Sequence, residues 1–168
     1  MSDFDYLRIF MSKPLKTIEI HSTVFSKRLS FLIKELQVNQ KDFAVYVGVS
    51  EPVISRAVKY GIIPSTKILI KIANALKIPL AYLLGLSDET DIYLSETPTT
   101  FHTRLDFLKC EKNVTYGQVA QKMTFSKNYF YEWQRLKTYP SIHFLQEIAN
   151  YFSVSLDFLV GRTDDRQN

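Results

Sequence analysis

Shifting the chain by 76 positions lays Phe25–Asp88 over Phe101–Asp164 without a gap, and 19 of the 64 pairs are identical. Self-similarity of that length is the mark of one folding unit written twice. The identities include Arg28/Arg104, Leu29/Leu105, Ala44/Ala120, Ser50/Ser126, Pro64/Pro140, Ser65/Ser141, Leu69/Leu145, Ala73/Ala149, Leu83/Leu159 and Gly85/Gly161. Other pairs keep apolar character, as Phe43/Val119, Val47/Met123 and Ile54/Phe130 do. Two copies at this spacing predict two domains and exclude a solenoid of short units. A chain of 168 residues has room for two small domains and little else.

Charge locates the business of the chain in the repeats. Residues 24–88 carry nine Lys and Arg against four acids, and 101–164 carry eight against six. Between them Glu89–Thr100 has three acids, no base and Pro98, the composition of a linker. The domain plan is therefore an arm at 1–23, domains at 24–88 and 101–164, a linker at 89–100 and a tail at 165–168. Net charge of +4 and a pI near 9.1 lean mildly towards polyanionic partners. The content of 46% hydrophobic residues supports packed cores and argues against disorder.

Several classes drop out. Cys110 stands alone, which removes a disulfide framework and a thiolate metal site, and it reads as a small semi-buried side chain. His21, His102 and His143 are isolated and read as surface or cap residues. No phosphate-cradling glycine loop, HExxH, CxxC or nucleophile elbow occurs, so neither an enzyme nor a bound cofactor or metal is expected. No apolar run approaches the roughly 20 residues of a membrane span, and no secretory pattern opens the chain. The expected location is the cytoplasm.

Along the arm, Phe4, Leu7, Phe10 and Met11 share a helical face behind Ser2 or Asp3, Lys13-Pro14 ends it, and Leu15–Ile20 reads as extended. In the first repeat, Phe25, Leu29, Leu32 and Leu36 recur at helical spacing. Asn39 then caps a helix that buries Phe43, Ala44 and Val47 and stops at Gly48. Ser50 caps the next, with Pro52 in its first turn and Ile54, Ala57 and Val58 inward. Pro64-Ser65 launches Thr66–Leu76, with Ile68, Leu69, Ile72, Ala73 and Leu76 inward. Pro79-Leu80 begins a last short helix ending at Gly85. The second repeat follows the same course, with Trp133 in the Ala57 position. Five helices, a three-residue turn between the second and third, and a small Ala44 at their crossing are helix-turn-helix logic.

With these residues placed, the sequence resembles the Cro/phage-repressor (XRE-type) family of helix-turn-helix domains, in two copies covering about three quarters of the chain. The likeness rests on Asn39-Gln40-Lys41-Asp42-x-Ala44, Gly48-Val49-Ser50, Ile54-Ser55-Arg56, Pro64-Ser65 and Leu80-x-x-Leu83-Leu84-Gly85. In the second copy it rests on Ala120, Phe125-Ser126, Trp133-Gln134, Pro140-Ser141 and Leu156-Asp157-x-Leu159-Val160-Gly161. It implies an all-α chain of two tandem five-helix lambda-repressor-like DNA-binding domains, usually acting in pairs on operators. Tyr116 departs from the helix 2 Gln, Glu51 stands where Gln is common, and Tyr60 and Leu136 stand where Gly is usual.

Double-stranded DNA is the expected partner, bound by a repressor-like transcriptional regulator. The resemblance puts Gln40 on the backbone and Glu51, Pro52, Val53 and Arg56 at base edges, with Tyr116, Lys127, Asn128, Tyr129 and Glu132 at the matching places. A helix start offers amides to phosphates and its side chains to the major groove. Ser50 and Ser126 open the two third helices. Arg56 suits guanine, Asn128 adenine, Glu51 cytosine and Val53 a thymine methyl. Lys41, Lys59, Lys67, Lys127, Arg135 and Lys137 are placed for phosphate. Residues 39–61 net +1 and 115–137 net +3, so the second copy is expected to bind at least as strongly. At helical spacing Phe130 and Trp133 fall inward, leaving Tyr129 and Tyr131 as the exposed pair. The alternative is a helix-turn-helix-fold interaction module with one or both DNA faces lost. The arm is expected to pack against the first domain, the other reading being that it reaches DNA or a second subunit. Self-association through the arm or the exposed aromatics is the further partnership the sequence allows.

Overall fold

Among the described residues six helices start where a side-chain oxygen takes up an orphan amide, at Ser22, Asn39, Thr100, Thr115, Ser141 and Ser155. The computed structural model describes residues 20–167, among which ten helices form. The expected arm helix on Phe4, Leu7, Phe10 and Met11 lies outside the described residues. At the arm's end the Ile20 carbonyl accepts from the Ile63 amide at 2.8 Å, and His21 forms an isolated antiparallel bridge with Ile62.

Helix α1 (Thr23–Glu35) is capped by Ser22, whose hydroxyl accepts from the Phe25 amide. It buries Phe25, Leu29 and Ile33, four residues apart. The expected Leu32 and Leu36 are displaced from that stripe: Leu32 is half-buried, and Leu36 is the C-cap and 44% exposed. Helix α2 (Gln40–Val47) starts at Asn39, which accepts from the Asp42 amide at 2.9 Å. It ends on Gly48 at φ 68°, a left-handed conformation that costs glycine nothing. Helix α3 (Glu51–Tyr60) carries Pro52 in its first turn and buries Ile54 and Ala57 fully. Helices α4 (Thr66–Leu76) and α5 (Leu80–Leu84) close the unit, with Leu69, Ile72, Ala73, Leu80 and Leu83 fully buried.

The next five helices fall at the same places after the 76-residue shift. These are α6 (Phe101–Glu111), α7 (Tyr116–Ala120), α8 (Lys127–Leu136), α9 (Ile142–Phe152) and α10 (Leu156–Leu159). Helices α8 and α9 match α3 and α4 residue for residue at both ends. One stretch differs. Helix α7 ends three residues before the counterpart of Val47, so a six-residue turn, 121–126, replaces the expected three. The counterpart of Gly48 is Thr124, which lacks that glycine's freedom; its amide and hydroxyl instead donate to the Glu147 carboxylate. In the first unit the same place on α4 is Lys71, whose ammonium donates to the Gly48 carbonyl at 2.8 Å. Each long helix thus braces the turn in front of it, with opposite charge.

An arginine closes each unit. Arg28 reaches from α1 to the Tyr82 and Ser87 carbonyls and to Asp88, and Arg104 does the same from α6 to Thr163 and Asp164. Both guanidinium groups also lie over an aromatic ring, Tyr82 and Phe158 respectively.

The two units touch through matching parts. Helix α5 packs on α10, and the Thr66 hydroxyl donates to the Pro140 carbonyl at 2.7 Å. The α5 start receives Asp157, whose Oδ2 accepts from the Leu80 amide at 2.9 Å. Arg162 pairs with Asp157 and crosses to the first unit, donating to Asn74 Oδ1 at 2.6 Å and the Ile78 carbonyl at 3.0 Å. Both side chains are buried, Asp157 at 1% and Arg162 at 5% exposure. Burial raises the Asp157 carboxyl above its ordinary range, while the Arg162 charge and the Leu80 amide pull it back down. A buried pair like this specifies geometry more than it adds stability.

The segment 89–100 reads from its composition as an interdomain linker. Its second half lies along the end of the second unit. The Ser95 and Thr99 amides donate to the Arg162 and Gly161 carbonyls, Thr163 donates to the Tyr93 carbonyl, and Ser95 Oγ donates to Asp164. Gly161, at φ 80°, permits this approach, since a Cβ there would run into the Thr99 backbone. The tail is held too, by Arg166 paired with Glu111 through both carboxylate oxygens.

Candidate functional site

The opening of α3 is a short exposed edge on a rigid base. Ser50, Glu51 and Pro52 are exposed, while Ile54 and Ala57 behind them are fully buried against the rest of the unit. Ser50 forms no side-chain cap, unlike Asn39, so its hydroxyl is not spent on its own helix. Val53 is half-buried and Arg56 exposed; both border a small cleft of about 160 Å³ shared with Ile62, Pro64, Ser65 and Ile68. Lys41 on α2, Lys59 near the end of α3 and Lys67 in the first turn of α4 are all exposed. Gln40 is half-buried at the first position of α2. The first copy's named residues are thus exposed or half-buried on α2, α3 and the start of α4, and of them Val53 and Arg56 share one cleft.

The second copy presents the same frame with different chemistry. Ser126, Lys127 and Asn128 open α8 exposed, and Glu132, Arg135 and Lys137 are exposed further along. Lys137 ends the helix in the left-handed region at φ 53°, with its ammonium 3.4 Å from Gln134 Oε1. Tyr129 was expected to stand in solvent with Tyr131. It is half-buried instead, its ring against Phe125, Trp133 and Phe144, and Tyr131 at 55% exposure is the outward one. Helical spacing could not separate these two, because the neighbour that covers Tyr129 is Phe144 on α9.

Tyr116 is the clearest change. It sits where Gln40 does, yet it is 8% exposed and its ring stacks on Phe130 at 4.9 Å. Its hydroxyl donates to Asp106 at 2.5 Å and accepts from Gln134 at 3.1 Å. Burial first, then the Asp106 carboxylate, pushes the phenol pKa well up, so the group stays neutral. Gln134 also donates to the His102 carbonyl, and His102 Nε2 reaches the Thr138 carbonyl at 2.8 Å. A carbonyl only accepts, so that nitrogen carries the proton. His102, read from sequence as a surface or cap residue, is a buried strut at 7% exposure. Cys110, expected to be half-buried, is exposed.

Sequence reasoning missed the arginine closures and the Asp157–Arg162 pair. The first had a signal: Arg28/Arg104 and Asp88/Asp164 are identical pairs at equal separation. The second had a subtler one, since Ala81 and Leu86 give way together to Asp157 and Arg162. Among the described residues no group of His, Cys, Asp and Glu could hold a metal, and no helix is long and apolar enough to cross a membrane.

Against known proteins, residues 31–83 match the helix-turn-helix family model, and α1 to α5 supply its helices. A stretch of 61 residues is 33% identical to the HTH-type transcriptional activator BcrR of Enterococcus faecalis. That stretch is 36% of this chain and spans 30% of the relative's length. No solved structure matches. Residues 31–83 are a helix-turn-helix domain.

Proposed function

We propose that this protein is a DNA-binding transcriptional regulator whose two units, 24–88 and 101–164, are tandem helix-turn-helix domains. The first unit's domain and the activator-like stretch support the regulatory role. The observation that carries the reading is the exposed opening of α3 at Ser50–Pro52, backed by fully buried Ile54 and Ala57, in a unit that also exposes Lys41, Lys59 and Lys67 on α2, α3 and α4. Helix α3 enters the major groove with Glu51, Pro52, Val53 and Arg56 near base edges, and the lysines take phosphate. Helix α8 does likewise with Ser126, Lys127, Asn128 and Glu132, flanked by Arg135 and Lys137. Tyr116 has no part in contact, and Tyr129 contributes only its outer edge. Because the two helices differ, the operator has two dissimilar half-sites.

Selection of the full chain against randomised duplex DNA, followed by sequencing, tests this. A two-part asymmetric motif is expected, with affinity falling steeply in salt; about six phosphate contacts give a slope near −5. Recovery of no motif overturns the reading. A second reading, a helix-turn-helix module that binds protein, is favoured by Val45 and Tyr46 on α2, at 76% and 62% exposure. Salt-insensitive self-association without DNA would support it.

A further inference from the structure

Near-symmetric contact between the units creates two equivalent slots, and the chain fills only one. In the filled slot the Arg162 guanidinium lies against Asn74, the Ile78 carbonyl and Asp157. Shifting each residue by 76 gives the other slot: Leu86 for Arg162, Asn150 for Asn74, Val154 for Ile78, and Ala81 for Asp157. Those four residues line one open cavity of about 730 Å³ between the start of α5 and the α9–α10 corner. With Leu86 too short and uncharged to repeat the crossing, the space that Arg162 occupies on one side is left open on the other. The size falls in the range of small-molecule sites, which favour domain junctions.

The lining says what would fit. Pro79, Ala81, Leu86, Ala149, Val154 and Leu156 make an apolar floor, and Leu86 is 57% exposed within it. Asn150 keeps the amide that in the filled slot accepts from a guanidinium. Glu89 and Asp165, themselves counterparts at the 76-residue shift, both face the same cavity, and no Lys or Arg lines it. The cavity therefore carries two negative charges, the side-chain amides of Gln146, Asn150 and Gln167, and a greasy base, the complement of a cation on a hydrocarbon stem.

We propose that this cavity is a binding site for a small organic cation, a guanidinium or amine on a short apolar chain. The cation end takes the place that the guanidinium of Arg162 has on the other side, meeting Asn150, Glu89 and Asp165. The stem lies on Leu86 and Val154. A ligand there touches both units at once and biases their relative setting.

The binding site does not depend on the DNA reading, and the test keeps them apart by measuring ligand binding without DNA. Isothermal titration of the full chain with agmatine is expected to show saturable one-to-one binding, and neutral N-butylurea is expected to show none. The Glu89→Gln/Asp165→Asn variant, altered at two exposed positions, should weaken agmatine binding at least tenfold. Ala81→Asp/Leu86→Arg, which rebuilds the filled slot, should abolish it while the chain melts no lower. No saturation by agmatine up to 10 mM, roughly the weak edge of specific binding, overturns the proposal. So does equal binding of N-butylurea, or binding unchanged in Glu89→Gln/Asp165→Asn.

Discussion

The two units share a helical frame and part of the core, with Phe25/Phe101, Leu29/Leu105, Leu69/Leu145, Ile72/Ile148 and Leu83/Leu159 identical and buried, and they part company around the third helix. The first is built around aliphatic contacts, with Ile54, Ala57, Leu69 and Ile72 fully buried beside Phe25 and Phe43. The second replaces Val49, Ile54, Ala57 and Ile68 by Phe125, Phe130, Trp133 and Phe144, and these rings meet edge-on or tilted at 4.5 to 6.3 Å. What survives the exchange is the helix boundaries outside α7, the arginine closures, the corner at Pro64 and Pro140, and the shared core of Leu69/Leu145, Ile72/Ile148 and Leu83/Leu159. The lesson is that caps, turns and long-range closures fix the frame, while core volume is negotiable so long as the backbone gives somewhere. It gives at α7, the same region that meets the larger rings.

The comparison breaks most readily at Trp133. Trp133→Ala should cost about 3–5 kcal/mol by denaturant titration, because the first unit's small residue would leave a void among large rings. A loss below about 1 kcal/mol would mean the aromatic cluster collapses freely and the two interiors are interchangeable. Asp157→Ala comes next. Leaving Arg162 buried without its partner should destabilise by about 3 kcal/mol or more. Restoring both first-unit residues, Asp157→Ala/Arg162→Leu, should recover most of that. A double variant as unstable as the single one would show that the crossing to Asn74 and Ile78 holds the units together.

A smaller effect separates the two outer faces. Lys127→Glu/Arg135→Glu should weaken DNA binding by roughly tenfold more than Arg56→Glu/Lys59→Glu, given net charges of +3 and +1 over 115–137 and 39–61. Gel-shift titration at fixed salt reads the ordering, and the reverse ordering would assign the stronger grip to the first unit.

The smallest effect is on acidity. Ser95 first and Arg104 second hold the Asp164 carboxyl below its usual range, and Arg166 does so for Glu111. A depressed carboxylate adds stability that is present above its unfolded value, about 4, and is lost as pH falls through the lower folded value. The protection of the Ser95 and Thr99 amides against hydrogen exchange, taken relative to the intrinsic rate at each pH, should therefore fall on acidification below about pH 4, and in Asp164→Asn should show less of that dependence. Both carboxylates are exposed, so the shift should be modest.

Most of the frame was legible in the sequence because its causes are local. Asn39, Gly48, Ser50 with Pro52, Pro64-Ser65 and Gly85 each act within one turn of helix, and the boundaries fall where they stand. The 76-residue shift then carried those boundaries into the second unit. What escaped is long-range. Tyr116 faces inward because Asp106, Phe130 and Gln134 receive it, and Tyr129 is half-covered because α9 brings Phe144 over it. Helical periodicity assigns a face and says nothing of what the neighbouring helix lays upon it. The longer turn at 121–126 was equally hidden, since the alignment passes through it without a gap. The missing glycine at Thr124 was the one visible warning.

The crossing of Arg162 into Asn74 and Ile78, with Thr66 on Pro140, has a consequence for dilution. Two separate subunits meeting at so small a set of contacts would part as their concentration fell, and the paired form would vary as the square of copy number. Here both sides of the contact are made in one chain, so the paired arrangement is first order in the protein. A handful of copies holds it as fully as a concentrated solution does.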